Sequence, residues 1–233
     1  MKHFTIFTAL LFAVSCGAPA NVRRTLPLTM NGTAPTAAND SGWTVSLTSA
    51  TATVSTVRFF TGKSLLTRRF DWSSLLIGTA HAHPGHYLPG EALGELIATT
   101  EVDLLSTTPV ALGEASAVTG EYGSMQLTFV GSGMRLKGTA TRGSSTVRFD
   151  TTAYLPPIAL EGISFDQKIG TEAGTVNISV LLQSIVSRID FSATGAAGAD
   201  GVTTFTSADP AFNGFVRGLQ DTSSYSVKWI TAQ

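Results

Sequence analysis

The chain has 233 residues, a formal net charge of -1, 13% charged and 43% hydrophobic residues. That is enough apolar content for one ordinary core and too much for a chain disordered throughout. The near-zero charge lacks the concentrated basic field that nucleic acid requires, so no nucleic-acid partner is expected.

The first element in chain order is a leader. Met1-Lys2-His3 precedes an apolar run over residues 4–14, followed by Ser15-Cys16-Gly17. A basic start, a short apolar stretch and small residues compose a secretory signal. The run falls well short of the roughly 20 residues a spanning helix needs. No later stretch is longer, so the mature domain is expected to be soluble. Two cleavage sites compete, an A-x-A site at Ala18-Pro19-Ala20 and a site before Cys16. Ala13-Val14-Ser15-Cys16 resembles the bacterial lipobox, although alanine stands where leucine is usual. Cys16 is the only cysteine and follows the apolar run directly. The resemblance implies a bacterial lipoprotein: residues 1–15 are removed, Cys16 carries lipid, and Gly17 in place of aspartate directs sorting to the outer membrane. Cys16 would hold the chain to the membrane, facing the periplasm or the cell surface. The mature domain then has neither disulfide nor thiolate ligand.

Residues 16–41, rich in Ala, Pro, Thr, Asn and Gly, read as the lipidated cysteine and a flexible tether. The domain is expected over residues 42–233. Trp43, Val45 and Leu47 alternate with polar residues as a half-buried strand. Further strands are expected over residues 53–60, 125–130, 135–141, 146–154, 158–165 and 175–182. Breaks at Gly131-Ser132-Gly133, Gly143-Ser144, Pro156-Pro157 and Gly170 to Gly174 carry turn chemistry. Residues 181–191 have mixed periodicity and fit a short helix or a strand. Asp209-Pro210 opens a helix, Asp as N-cap and Pro at the first position, with Phe212, Phe215, Val216 and Leu219 on one face. Residues 224–230 close the chain as a strand, with Tyr225, Val227 and Trp229 on one face. The pattern predicts an all-β fold, a single antiparallel β-sandwich of jelly-roll or Ig-like type, with one or two short helices including one near the C-terminus.

One segment stands apart. The protein has four histidines, and apart from His3 in the leader they are His81, His83 and His86. His83 precedes proline, which favours extended backbone. An extended His81 to His83 puts both imidazoles on one face, and Pro84-Gly85 turns the chain to return His86. Three neutral imidazoles suit copper or zinc. Glu91 and Glu95 are the nearest oxygen donors and share a face if residues 90–98 form a short helix. Tyr87 is the candidate to hydrogen-bond and orient a ligating histidine. The H-x-H element resembles the copper-ligand strand of copper–zinc superoxide dismutases. Those enzymes need further histidines elsewhere and this chain has none, so that activity is not carried over.

No nucleophile elbow, H-E-x-x-H helix or phosphate-binding glycine loop occurs. Asp71, Glu91, Glu95, Glu101, Asp103 and Glu121 leave a carboxylate-pair hydrolase open, and Trp72 or Tyr122 could face a sugar. The expected function is non-enzymatic transition-metal binding, as carrier, sensor or chaperone. The alternatives are a metal-free interaction module contacting an envelope protein, or a metal-dependent enzyme using Glu91 or Glu95 as base. Asn31-Gly32-Thr33 and Asn177-Ile178-Ser179 match the glycosylation sequon, a coincidental match in a bacterial lipoprotein.

Overall fold

In the computed structural model the described residues are 21–63, 87–153 and 158–232. They form nine strands and two short α-helices. The strands are β1 (Arg23–Thr33), β2 (Thr44–Phe60), β3 (Ala92–Asp103), β4 (Val110–Val118), β5 (Gly120–Arg142), β6 (Ser145–Ala153), β7 (Ile158–Ile169), β8 (Gly174–Leu181) and β9 (Tyr225–Thr231). The helices are α1 (Leu182–Ser187) and α2 (Pro210–Gln220), so one lies near the C-terminus, as the Asp-Pro signal predicted.

All nine strands belong to one sheet, ordered β6-β5-β2-β3-β4-β1-β8-β9, with β7 also on β5. The long β5 organises it. One edge pairs with β2 over most of its length. The other edge takes β7 along Gly120 to Phe129 and β6 along Met134 to Arg142. The sheet curls until β7 and β9 approach with Cα atoms within 8 Å. This is a curled half-barrel in place of the expected two-sheet sandwich. It is also mixed rather than purely antiparallel, because β1 runs parallel to β8.

The stretch expected as tether contains β1. Leu26, Leu28 and Met30 are fully or almost fully buried on its inner face, and β1 pairs with β4 and β8. Each such side chain contributes about 1.5–3 kcal/mol by burial, a gain that a solvated linker does not make. The folded domain therefore includes Arg23 and does not start at residue 42.

Bulges explain why other boundaries differ. Buried residues on β2 run Val45, then Ala50, Ala52 and Val54, then Val57 and Phe59. The inward phase flips at two of the three slips in the β2–β5 register, between Leu47 and Ser49 and between Val54 and Thr56. Each flip changes which face a residue meets, so one strand reads as two in sequence. Gly131 and Gly133 adopt φ of +61° and +62°. They bend β5 without ending it, so the turn signal there produced a bulge.

Residues 181–191 resolve into α1, which buries Leu182, Ile185 and Val186. Asp209 takes the N-cap position of α2 with Pro210 after it, yet its carboxylate does not cap α2. Instead Asp209 Oδ2 accepts from Thr206 N at 2.7 Å and from Thr206 Oγ1 at 2.8 Å. Trp43, Phe149, Phe191 and Phe205 form one aromatic cluster, with ring centroids 5.1–5.9 Å apart between contacting members. Phe59, Tyr122 and Phe165 form a second, with centroids 5.6–5.7 Å apart. No helix among the described residues is long and apolar enough to cross a membrane.

Candidate functional site

His81, His83 and His86 lie outside the described residues, as do Cys16, Asp71 and Trp72. The two feet of the segment that carries the histidines are described. Thr61 N donates to the Glu91 carbonyl at 2.9 Å, and Gly62 N donates to the Pro89 carbonyl at 2.7 Å. Glu91 N in turn donates to Thr61 Oγ1 at 2.9 Å. Ser124 Oγ, fully buried on β5, donates to the Gly62 carbonyl, and that fixes the remaining polarity. With its one proton used, Ser124 must accept from the Tyr87 hydroxyl. The Tyr87 ring lies against Gly162, where a Cβ would sit 3.3 Å from ring atoms and φ is +77°. Burial pushes the Tyr87 hydroxyl above its ordinary pKa, partly offset by Ser124. Tyr87 thus anchors one foot.

The two carboxylates proposed as oxygen donors do not sit on a helix. Glu91 immediately precedes β3, and Glu95 lies within it. Strand pairing with β2 overrides the helical reading, since Arg58 and Glu95 are register partners and their side chains form an ion pair. Tyr122 does not face solvent. It is 1% exposed, its hydroxyl donates to the Val118 carbonyl at 2.5 Å, and burial raises its pKa to about 12. Among the described residues no group of three His, Cys, Asp or Glu side chains is placed to hold a metal. Asn31 and Asn177 are tied to each other, with Asn177 Nδ2 donating to Asn31 Oδ1 at 3.2 Å.

A second feature was not anticipated from the sequence. The outer face of β5 and β6 forms the floor of a cleft of about 1020 Å³. Arg135, Lys137, Arg148, Asp150 and Thr152 line it, and β2 and β3 extend it at Thr51 and Glu101. These residues point outward because their neighbours Leu136 and Phe149 are buried. The opposite wall is the segment 198–207 with Phe212 of α2. That wall is docked on β6: Asp150 N donates to the Thr203 carbonyl at 3.0 Å and Thr203 N to the Arg148 carbonyl at 2.8 Å. Phe205 anchors it from below by packing on Phe149 and Phe191.

Inside the cleft, Arg135 forks onto Asp150 with two bonds of 2.7 Å. Lys137 Nζ lies 3.9 Å from the same carboxylate. The Arg135 hydrogen bond is the main reason the Asp150 carboxyl is held below the usual aspartate pKa. Only cross-strand register brings these residues together, as the pairs Lys137–Asp150 and Arg135–Thr152. The only sequence signal for them was charged residues at alternate positions of two neighbouring predicted strands.

The chain matches no family model, no curated protein and no solved structure.

Proposed function

We propose that this protein is a membrane-anchored extracytoplasmic lipoprotein that binds copper or zinc through His81, His83 and His86. It acts as a carrier, sensor or chaperone rather than as an enzyme. The carrying observation is that every histidine beyond the leader falls within six consecutive positions. The described feet of that segment support the reading. Backbone bonds from Thr61 to Glu91 and from Gly62 to Pro89 close its base. A closed base reduces the conformational entropy lost when three side chains converge on one ion. Borderline-soft imidazole suits copper and zinc, and copper binds more tightly by intrinsic preference.

Anchoring through Cys16 at the outer membrane belongs to the same proposal and rests on the lipobox resemblance. Mass spectrometry of the protein from membranes should find a diacylglyceryl-modified Cys16 at the N-terminus. Cleavage after Ala20 would remove that part and leave the metal reading standing. Competitive titration with copper and zinc tests the metal part. The native chain should bind one ion, and a His81→Ala, His83→Ala, His86→Ala triple variant should lose it. Equal affinity in both proteins would leave the metal-free envelope module as the better account.

A further inference from the structure

We infer that the cleft on the outer face of β5 and β6 binds an uncharged oligosaccharide. The inference is independent of the histidine segment, which leaves β2 after Phe60. From Phe60 back to Thr51 the strand runs nine residues, about 30 Å at 3.3 Å per residue.

Charge balance selects the class of ligand. Arg135, Lys137 and Arg148 supply three positive charges, and Glu101, Asp150 and Asp200 supply three negative ones. A lining with no net charge gives no field to concentrate a polyanion or a polycation. What it presents is a mixture of fixed donors and acceptors. Asp150 is held by Arg135, so its position is set before any ligand arrives. The Arg148 side chain is exposed and its guanidinium has no hydrogen-bond or ion-pair partner among the described residues. One oxygen of Asp200 accepts from Val202 N at 3.0 Å and the other is turned to no described partner. Ser132, Thr51, Thr152, Thr204, Thr206 and Ser207 add hydroxyls.

A sugar hydroxyl donates and accepts at once, so it can bridge a guanidinium and a carboxylate. A simple anion or cation satisfies only one of them. The half-buried Phe212 ring adds apolar surface for the C–H face of a pyranose. At about 1020 Å³ the cleft lies at the upper end of the range for compact small molecules, about 300–1,000 Å³, which favours an extended ligand. The wall is also preformed. Thr203 is bridged to Phe149, Gly201 N donates to the Gly198 carbonyl at 2.9 Å, and Phe205 is buried. Little ordering entropy remains to be lost on binding.

The test uses the full chain against a panel of neutral gluco-, xylo-, manno- and N-acetylglucosamine oligosaccharides. Uronic-acid and sulfated oligosaccharides form a second panel, read by calorimetry at low and high salt. At least one neutral oligosaccharide should bind, with an affinity that salt leaves unchanged. Lys137→Ala and Arg148→Ala should each weaken it roughly tenfold, the loss expected for one hydrogen bond from a charged group. Both side chains are exposed, so thermal unfolding of the variants should match wild type, and Arg217→Ala on α2 should bind normally. No neutral ligand, binding unchanged in the cleft variants, or binding confined to the acidic panel would each overturn the inference. None of these results bears on metal binding by the histidines.

Discussion

Gly214→Ala on α2 isolates what holds α2 against α1. Helix propensity alone favours alanine over glycine by about 0.8–1.0 kcal/mol. The packing predicts the opposite sign. A Cβ on Gly214 would sit 2.1 Å from the Arg188 carbonyl oxygen, and a Cβ on Gly218 would sit 2.5 Å from that of Ile185. Both obstacles are backbone at the end of α1, so no side-chain rotation relieves them. The glycines lie one turn apart and let α2 rest directly on α1. Overpacking of this kind costs about 1–3 kcal/mol, sometimes more. With contact this short the upper end applies, and subtracting the propensity gain leaves about 2 kcal/mol of net destabilisation. For a domain of this size that corresponds to a melting temperature about 4–8 °C lower. Urea and thermal unfolding of wild type, Gly214→Ala and Gly218→Ala measure it. Asn213→Ala, on the exposed side of the same helix, serves as the propensity control and should be neutral or slightly stabilising. A Gly214→Ala variant as stable as wild type, or more so, would refute the packing argument.

Acid should destabilise the fold. Asp150, Asp190, Asp209 and Asp221 are all held below the ordinary aspartate value of 3.8, by bonds from Arg135, Ser192, Thr206 and Ser223 respectively. Depressed carboxylates contribute stability that is present above the unfolded value and lost as pH falls through the folded one. Urea midpoints should therefore drop as pH is lowered below about 4, and Asp150→Asn should flatten part of that slope; a midpoint rising with acid would contradict it. Tyrosine titration at 295 nm should leave Tyr122 and Tyr225 largely un-ionised at pH 11, since burial raises Tyr122 to about 12 and Tyr225 well above 10. Full ionisation at that pH with the fold intact would be the contrary result. Tyr87→Phe removes the hydrogen bond to Ser124, worth about 1 kcal/mol. Amide exchange at Gly62 and Thr61 should quicken while exchange at Val176 and Ile178 stays unchanged.

Local chemistry was legible where one residue type forces one geometry. Asp209-Pro210 announced α2, and alternation announced β6, β7, β8 and β9 close to their observed limits. What failed depended on distant partners. β1 reads as linker because Pro27, Asn31 and Gly32 dilute its pattern, and only pairing with β4 and β8 makes it a strand. β3 carries Glu91 and Glu95 at helical spacing just before and within it, and pairing with β2 decides against a helix. The glycines at 131 and 133 carry a turn signal, but their left-handed φ serves a bulge in β5 instead. The sandwich expectation followed from counting short strands. Two of those strands were halves of β2 and two were halves of β5, which left a single curled sheet. The cleft was invisible for a related reason, because Lys137 and Asp150 become neighbours only through the β5–β6 register. The histidine cluster was legible as composition, and its structure lies outside the described residues.

The account turns on whether those three histidines hold a metal. The most direct measurement is elemental analysis of the protein purified from its native compartment in parallel with the His81→Ala, His83→Ala, His86→Ala variant. About one copper or zinc per chain in the native protein, absent from the variant, is the predicted result. No metal in either protein, or the same metal content in both, would contradict it.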